Sequence, residues 1–280
     1  MRIPASLALA VVALALVGCG HVRTTTGTTA ALPSPAAHTA TSTATVTSSS
    51  TADPGSTGTE VEADGRFSLV VFDRTSGKPL VNENPTARYP AESVVKLLIA
   101  VVALEKGDDV SLVATMLMMS DDEIANQLWT RYGNVAIVYR AIDLMGLSGV
   151  VAPEDPGRWG DTQLTAEDVV KIYQYVLDRA PKNVSATIMK ALGGTAKQAA
   201  DNFYQYYGIA DAEDDHDWAV KEGWACCKPD RVLHSTGVVG DDQRYIVAAL
   251  SAHDSDTSTW DQVGGELTEA VRRALAAVRG

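Results

Sequence analysis

The chain has only three cysteines in 280 residues. One stands at position 19, and the other two, Cys226 and Cys227, are adjacent. Neighbouring cysteines are poor disulfide partners, because ordinary bridge geometry needs separated backbones. The folded part is therefore expected to rely on its core rather than on staples. Basic residues are also scarce, 23 Lys+Arg against 35 Asp+Glu for a net charge of −12, and they form no cluster. That excludes the basic stripe of a nucleic-acid binder and sets a field that repels anionic partners. There is no Gly-x-Ser-x-Gly elbow, no His-Glu-x-x-His and no phosphate-binding glycine loop. Cys226, Cys227 and His234 do not make a metal site, since adjacent strand residues face opposite ways. No metal or other cofactor is expected, and no internal repeat is present. Five tryptophans and nine tyrosines are ordinary core and rim material.

What the chain does have begins at residue 1. "MRIPASLALAVVALALVGCG" carries one arginine and then an apolar stretch to Val17. That stretch is too short and too Ala-rich for a membrane span and reads as a secretory signal, residues 1–18. "LVGC" has the form of a bacterial lipobox, which implies cleavage before Cys19 and its lipidation. The alternative is an ordinary signal peptide with a chance cysteine. A lipidated Cys19 places the protein on the extracytoplasmic face of the cell membrane. Residues 20–62 are almost wholly Thr, Ser, Ala, Gly and Pro, too apolar-poor to offset the entropy of ordering. Residues 19–62 are thus expected to be a disordered tether, and 63–280 one folded domain, monomeric.

Within that domain, "GRFSLVVFDRTSGKPLVNEN" predicts a hairpin turning around Thr75–Lys78. A helix follows from Ser93 to about Lys106, apolar nearly all round and so buried on all sides. Residues 110–180 read as helices interrupted by the loop "LSGVVAPEDPGRWGDTQ", and "NVSATIMKALGG" as one more helix. Three strand-like runs, "DWAVKEGWACC", "RVLHSTGVVG" and "RYIVAALSAH", precede an amphipathic terminal helix striped by Val263, Leu267, Val271, Leu275 and Val278. The order predicts an α+β fold: a five-stranded antiparallel sheet flanked by helices, with an inserted helical lobe. The terminal helix is expected on one face and the Ser93 helix on the other.

Lys96 is the one lysine in the otherwise largely apolar "AESVVKLLIAVVAL". It lies three positions after Ser93, so the two share a helix face. Burial in apolar surroundings drives an ammonium toward its neutral form. A neutral amine beside a hydroxyl can take its proton and make a serine nucleophilic without histidine. The plainer reading leaves Ser93 as a helix cap and Lys96 reaching outward.

"SVVK" opening a buried helix, "SDDEIANQLW" opening a later one and "VKEGW" on a late strand fall in the order used by serine β-lactamases and DD-peptidases. The chain resembles that family over about residues 65–280, closest to the β-lactamase-like lipoproteins of actinobacteria. "WGDTQLTAEDVVKI" is similar to the stretch that leaves the family's Ω-loop. The resemblance implies Ser93 as the acylated nucleophile and Lys96 as its base. It implies Ser120 as proton donor to the leaving group and Lys221 as the group that holds a substrate carboxylate and tunes Ser120. An oxyanion hole would come from the Ser93 N–H and from the strand near Gly223 or Trp224. Bland readings stand beside these. Ser120 and Glu123 form a capping box, Lys221 could be a solvated strand lysine, and "HSTG" at 234–237 is a rival for the terminal motif.

Departures from the pattern matter as much. The family's asparagine is Asp122 here, which cannot donate to a substrate amide and favours the ammonium form of nearby lysines. The hydroxyl residue after the terminal lysine is Glu222, expected to repel a substrate carboxylate. The Ω-like loop lacks the family's deacylating glutamate, and Glu154 is the sole glutamate near it, so efficient β-lactam hydrolysis is not expected. Two readings stay open: a slow hydrolase of amides, esters or peptidoglycan-like peptides, and a binding module for a cell-wall fragment or partner with the same cleft.

Overall fold

The computed structural model describes residues 65–213, 217–227 and 229–279. The expectations for residues 1–62, Cys19 among them, lie outside the described residues.

The hairpin pairs β1 (Gly65–Asp73) with β2 (Lys78–Glu83), and Gly77 supplies the left-handed φ of +68° that closes the turn. After a two-residue strand β3 (Tyr89–Pro90), the chain makes a 3₁₀ turn, Glu92–Val95, and continues as α1 (Lys96–Glu105). Helices α2 (Val110–Met118), α3 (Asp122–Arg131) and α4 (Ala136–Met145) build the helical lobe. The loop that follows holds a 3₁₀ turn, Trp159–Asp161, and β4 (Gln163–Leu164), which pairs with β3. Then come α5 (Ala166–Gln174), α6 (Lys182–Gly193) and the short α7 (Ile209–Ala212). Strands β5 (Trp218–Ala225), β6 (Asp230–Val239) and β7 (Tyr245–Asp254) lead to α8 (Trp260–Arg279).

The five long strands form one antiparallel sheet in the order β2-β1-β7-β6-β5. β7, paired on both sides, is apolar along nearly its whole length, as a central strand covered on both faces should be. α8 and α7 cover one face through the Val263–Leu267–Val271–Leu275 stripe. On the other face α5 lies against β7, β1 and β6, while the 3₁₀ turn of the Ser93 segment meets β5. The Ser93 helix itself, expected to cover that face, runs deeper. α1 packs among α2, α4 and α6, and every residue from Lys96 to Leu104 is buried.

The cysteine expectation is corrected. Cys226 and Cys227 are joined as a disulfide, across a cis peptide bond that sets their Cα atoms 3.2 Å apart.

Candidate active site

The site forms where three segments meet: the 3₁₀ turn at Ser93, the approach to α3, and the edge strand β5. Gly223 allows the third to come close to the first. A Cβ there would lie 3.2 Å from the Ala91 carbonyl oxygen and 3.4 Å from the Val94 nitrogen.

Ser93 and Lys96 are not a cap and a snorkelling lysine. The side chain of Ser93 makes no capping bond, and Lys96 is wholly buried. Lys96 Nζ donates to Ser93 Oγ at 2.7 Å and to the Ser120 carbonyl at 2.8 Å, and lies 3.3 Å from Ser120 Oγ. Its last contact, to Asp122 Oδ1, is 2.5 Å. Burial pushes the Lys96 amine below its ordinary range, and Asp122 pulls the other way with the smaller effect. Burial dominates because Lys96 is enclosed while the Asp122 side chain is 65% exposed and stays hydrated.

Ser120 holds a left-handed φ of +49°, an uncommon conformation for serine. The capping-box reading is corrected. The N-cap of α3 is Asp121, whose carboxylate accepts from the Ile124 N–H at 3.0 Å. Ser120 Oγ instead accepts from Lys221 Nζ at 3.0 Å. Lys221 is buried rather than solvated, and it also donates to the Glu222 carbonyl at 2.7 Å. Burial, and then the like charge of Lys96, hold its amine well below the usual lysine range. Two amines and two hydroxyls thus form one continuous chain, Ser93–Lys96–Ser120–Lys221.

The role expected for Glu222 is corrected. Successive strand residues face opposite ways, so Glu222 leaves the cleft for the sheet face under α7 and α8. There its Oε1 accepts from Ser235 Oγ at 3.1 Å, and its Oε2 has no partner among the described residues. Burial raises its carboxyl well above the usual carboxylate range. "HSTG" sits on β6, where Thr236 Oγ1 donates to the Lys221 carbonyl at 2.7 Å and braces the lysine strand. His234 is a structural residue. Nε2 lies 2.8 Å from the Pro90 carbonyl, and Nδ1 accepts from the Ser251 N–H at 3.3 Å, which assigns the proton to Nε2. Burial pushes this imidazole down to about 4.

Two residues, Trp159 and Glu92, were missed by sequence reasoning, and only the backbone of Trp224 was anticipated. Trp159 stacks its ring over Lys96 Nζ, 4.8 Å from the centroid, and is itself tied through Nε1 to Asn126 at 2.8 Å. Trp224 stands 5.8 Å from Lys221 Nζ and donates to Asp201 at 3.1 Å. Glu92, next to the nucleophile, carries a left-handed φ of +46°. A tryptophan inside a Gly- and Pro-rich loop was the one available signal for Trp159.

A sheet covered by helices on both faces, with a buried serine–lysine pair at the start of a helix and a second lysine on the edge strand, defines the β-lactamase fold. The comparisons agree. A class A β-lactamase from Bacteroides cellulosilyticus superposes with a TM-score of 0.61 at 12% identity, covering 77% of this chain and 94% of its own. The TLA-3 extended-spectrum β-lactamase gives 0.62 at 12%, covering 76% and 94%. No family model matches the sequence. The protein named "Putative lipoprotein LppW" in Mycobacterium tuberculosis and in Mycobacterium bovis is 33% identical over 219 residues, 74% of this chain and 68% of its own length. The chain belongs to the LppW family.

Proposed function

We propose that this protein is a cell-envelope lipoprotein, anchored through Cys19 on the extracytoplasmic face, whose domain is a serine hydrolase working by acyl transfer. The observation that carries the chemistry is the fully buried Lys96 amine, 2.7 Å from the Ser93 hydroxyl and shifted toward its neutral form. Lys96 takes the Ser93 proton as Oγ attacks a substrate carbonyl, and the oxyanion rests on the Ser93 and Trp224 N–H groups. Ser120, oriented by Lys221, then protonates the leaving group. The substrate class is an amide, ester or peptidoglycan-like peptide that needs no carboxylate clamp, because the hydroxyl usual after the terminal lysine is replaced by the inward-turned Glu222. The membrane anchor draws support from the lipobox-like "LVGC" and from the name of the LppW relatives.

A second reading, a non-catalytic module that binds a cell-wall fragment, is favoured by one contact. Asp122 lies 2.5 Å from the amine that must be free to act as base. The test is to incubate the soluble domain with a fluorescent penicillin and with activated esters, then search by mass spectrometry for an adduct on Ser93. An ester adduct that is absent in Ser93→Ala supports the hydrolase. No adduct with any probe leaves the binding module.

A further inference from the structure

Among the described residues, Asp122 is the one exposed carboxylate that touches the Ser93–Lys96 pair. Its Oδ1 lies 2.5 Å from Lys96 Nζ, and the same Nζ lies 2.7 Å from Ser93 Oγ. A single nitrogen therefore stands between the carboxylate and the nucleophile. Helix α3 does not need the group, because the preceding Asp121 already caps it. Among the described residues Asp122 Oδ2 accepts no hydrogen bond, and it stays open to solvent. The cleft offers an anion little in exchange. Lys96 is spent on Ser93, Ser120 and Asp122, and Lys221 is buried and turned to Ser120 and the Glu222 carbonyl. Arg158, on the facing loop, is paired with Asp161.

We propose that Asp122 sets the specificity of the site for a cationic acyl group, an amino-acid ester or amide whose free amine sits on the carbon next to the reacting carbonyl. This rests on the acyl-transfer reading above. An ionised carboxylate only accepts hydrogen bonds, so its complement in a substrate is a donor, and an ammonium is the strongest one. In acyl-Ser93 such an ammonium is three bonds from Oγ, within reach of a carboxylate one nitrogen away. During acylation Ser93 Oγ bonds to the carbonyl carbon and its proton passes to Lys96. The bond to the leaving group then breaks. Ser120 gives that group its proton and is refilled from Lys96. The substrate ammonium keeps its protons throughout.

The surroundings suit a cation. On the β5 side Asp201 accepts from Trp224 Nε1 at 3.1 Å, and its charge reaches both lysines, as that of Asp121 reaches Lys96. Glu92 is not the selecting group. Its side chain turns to Gly160, where a Cβ would lie 3.0 Å from Glu92 Oε2, and burial, then Asp161, push its carboxyl up to about 7. The contact that restrains Lys96 also gains a use. A cation seated on Asp122 weakens its hold on Lys96 and disfavours a second positive charge beside it. The matching substrate thus helps to free the amine that must act as base.

The experiment compares acylation by glycine p-nitrophenyl ester, its N-acetyl derivative and p-nitrophenyl acetate, with adducts on Ser93 read by mass. Each burst rate is divided by the spontaneous hydrolysis rate of the same ester, which removes differences in intrinsic reactivity. The wild type should prefer the glycine ester over both neutral esters by about tenfold, and the preference should shrink in about 1 M salt. Asp122→Asn should lose the preference. Glu123→Gln removes the same charge from an exposed neighbour that does not touch Lys96, and should keep it. Adducts formed with no preference in the wild type, with an equal preference in Asp122→Asn, or with an equal loss in Glu123→Gln, overturn the inference alone. The wild-type salt response decides without any variant, since a preference unmoved by salt also overturns it. Absence of an adduct with all three esters in the wild type overturns the hydrolase reading, and this inference with it.

Discussion

Lys221 and Glu222 are neighbours in the chain whose side chains end on opposite faces of the sheet. One meets Ser120 at 3.0 Å in the cleft and the other meets Ser235 at 3.1 Å beneath α7 and α8. Glu222 points away from the cleft, so Glu222→Gln should change acylation by an anionic ester no more than by a neutral one. A selective gain of about a hundredfold with the anionic probe is what an ionised carboxylate in the cleft would give on removal. Paired rate measurements with the two probes decide between them.

Asp122 raises the pKa of Lys96 against the larger effect of burial. In Asp122→Asn the amine should lose its proton more readily. The rising limb of the acylation rate against pH should then move to lower pH. An unmoved or upward-shifted limb, measured as burst rate across the pH range, would show that Lys96 is not the titrating base.

Replacing Lys96 itself with methionine keeps the length and removes the base. Acylation should slow by about 10²–10⁴-fold while the circular dichroism spectrum is retained. A smaller loss with the fold intact would mean that Ser93 is activated elsewhere.

Gly223→Ala places a methyl 3.2 Å from the Ala91 carbonyl oxygen. The edge strand must then withdraw from the Ser93 turn, widening the oxyanion hole. Stability should fall by about 1–3 kcal/mol, and acylation should fall further than stability accounts for. Urea midpoints and burst rates measured together check this. An alanine variant with normal rate and midpoint would show that the close approach is not required.

His234 is held down at about 4 in the fold, against about 6.5 in the unfolded chain. Between those values the unfolded chain binds a proton that the folded one refuses. Stability therefore rises with pH through this window, and acidification from about pH 6.5 to about 4 should remove up to about 3 kcal/mol. Glu92, raised in the fold, contributes with the opposite sign between about pH 4.5 and 7. Comparison with His234→Gln isolates the histidine, because the variant's urea midpoint should decline less on acidification. Equal slopes for the two proteins would refute the assignment.

The local pattern in the chain was enough for the hairpin, the buried helix, the three late strands and the α8 stripe. Period-2 and period-3.6 spacing are properties of neighbouring residues. The apolar collar around Lys96 was legible for the same reason, and with it the Ser93–Lys96 pair three residues apart. The fate of Glu222 was not legible. Alternation shows that it and Lys221 face opposite ways, and only the placement of β5 at the sheet edge decides which of them meets the cleft. Trp159 over Lys96 and Glu92 turned toward Gly160 likewise depend on segments far apart in sequence brought together. Single-chain spacing determined which side chains could be partners along one helix or strand. Packing of the helical lobe against the edge strand decided which of them touch, because contacts across long loops follow from how the whole core closes.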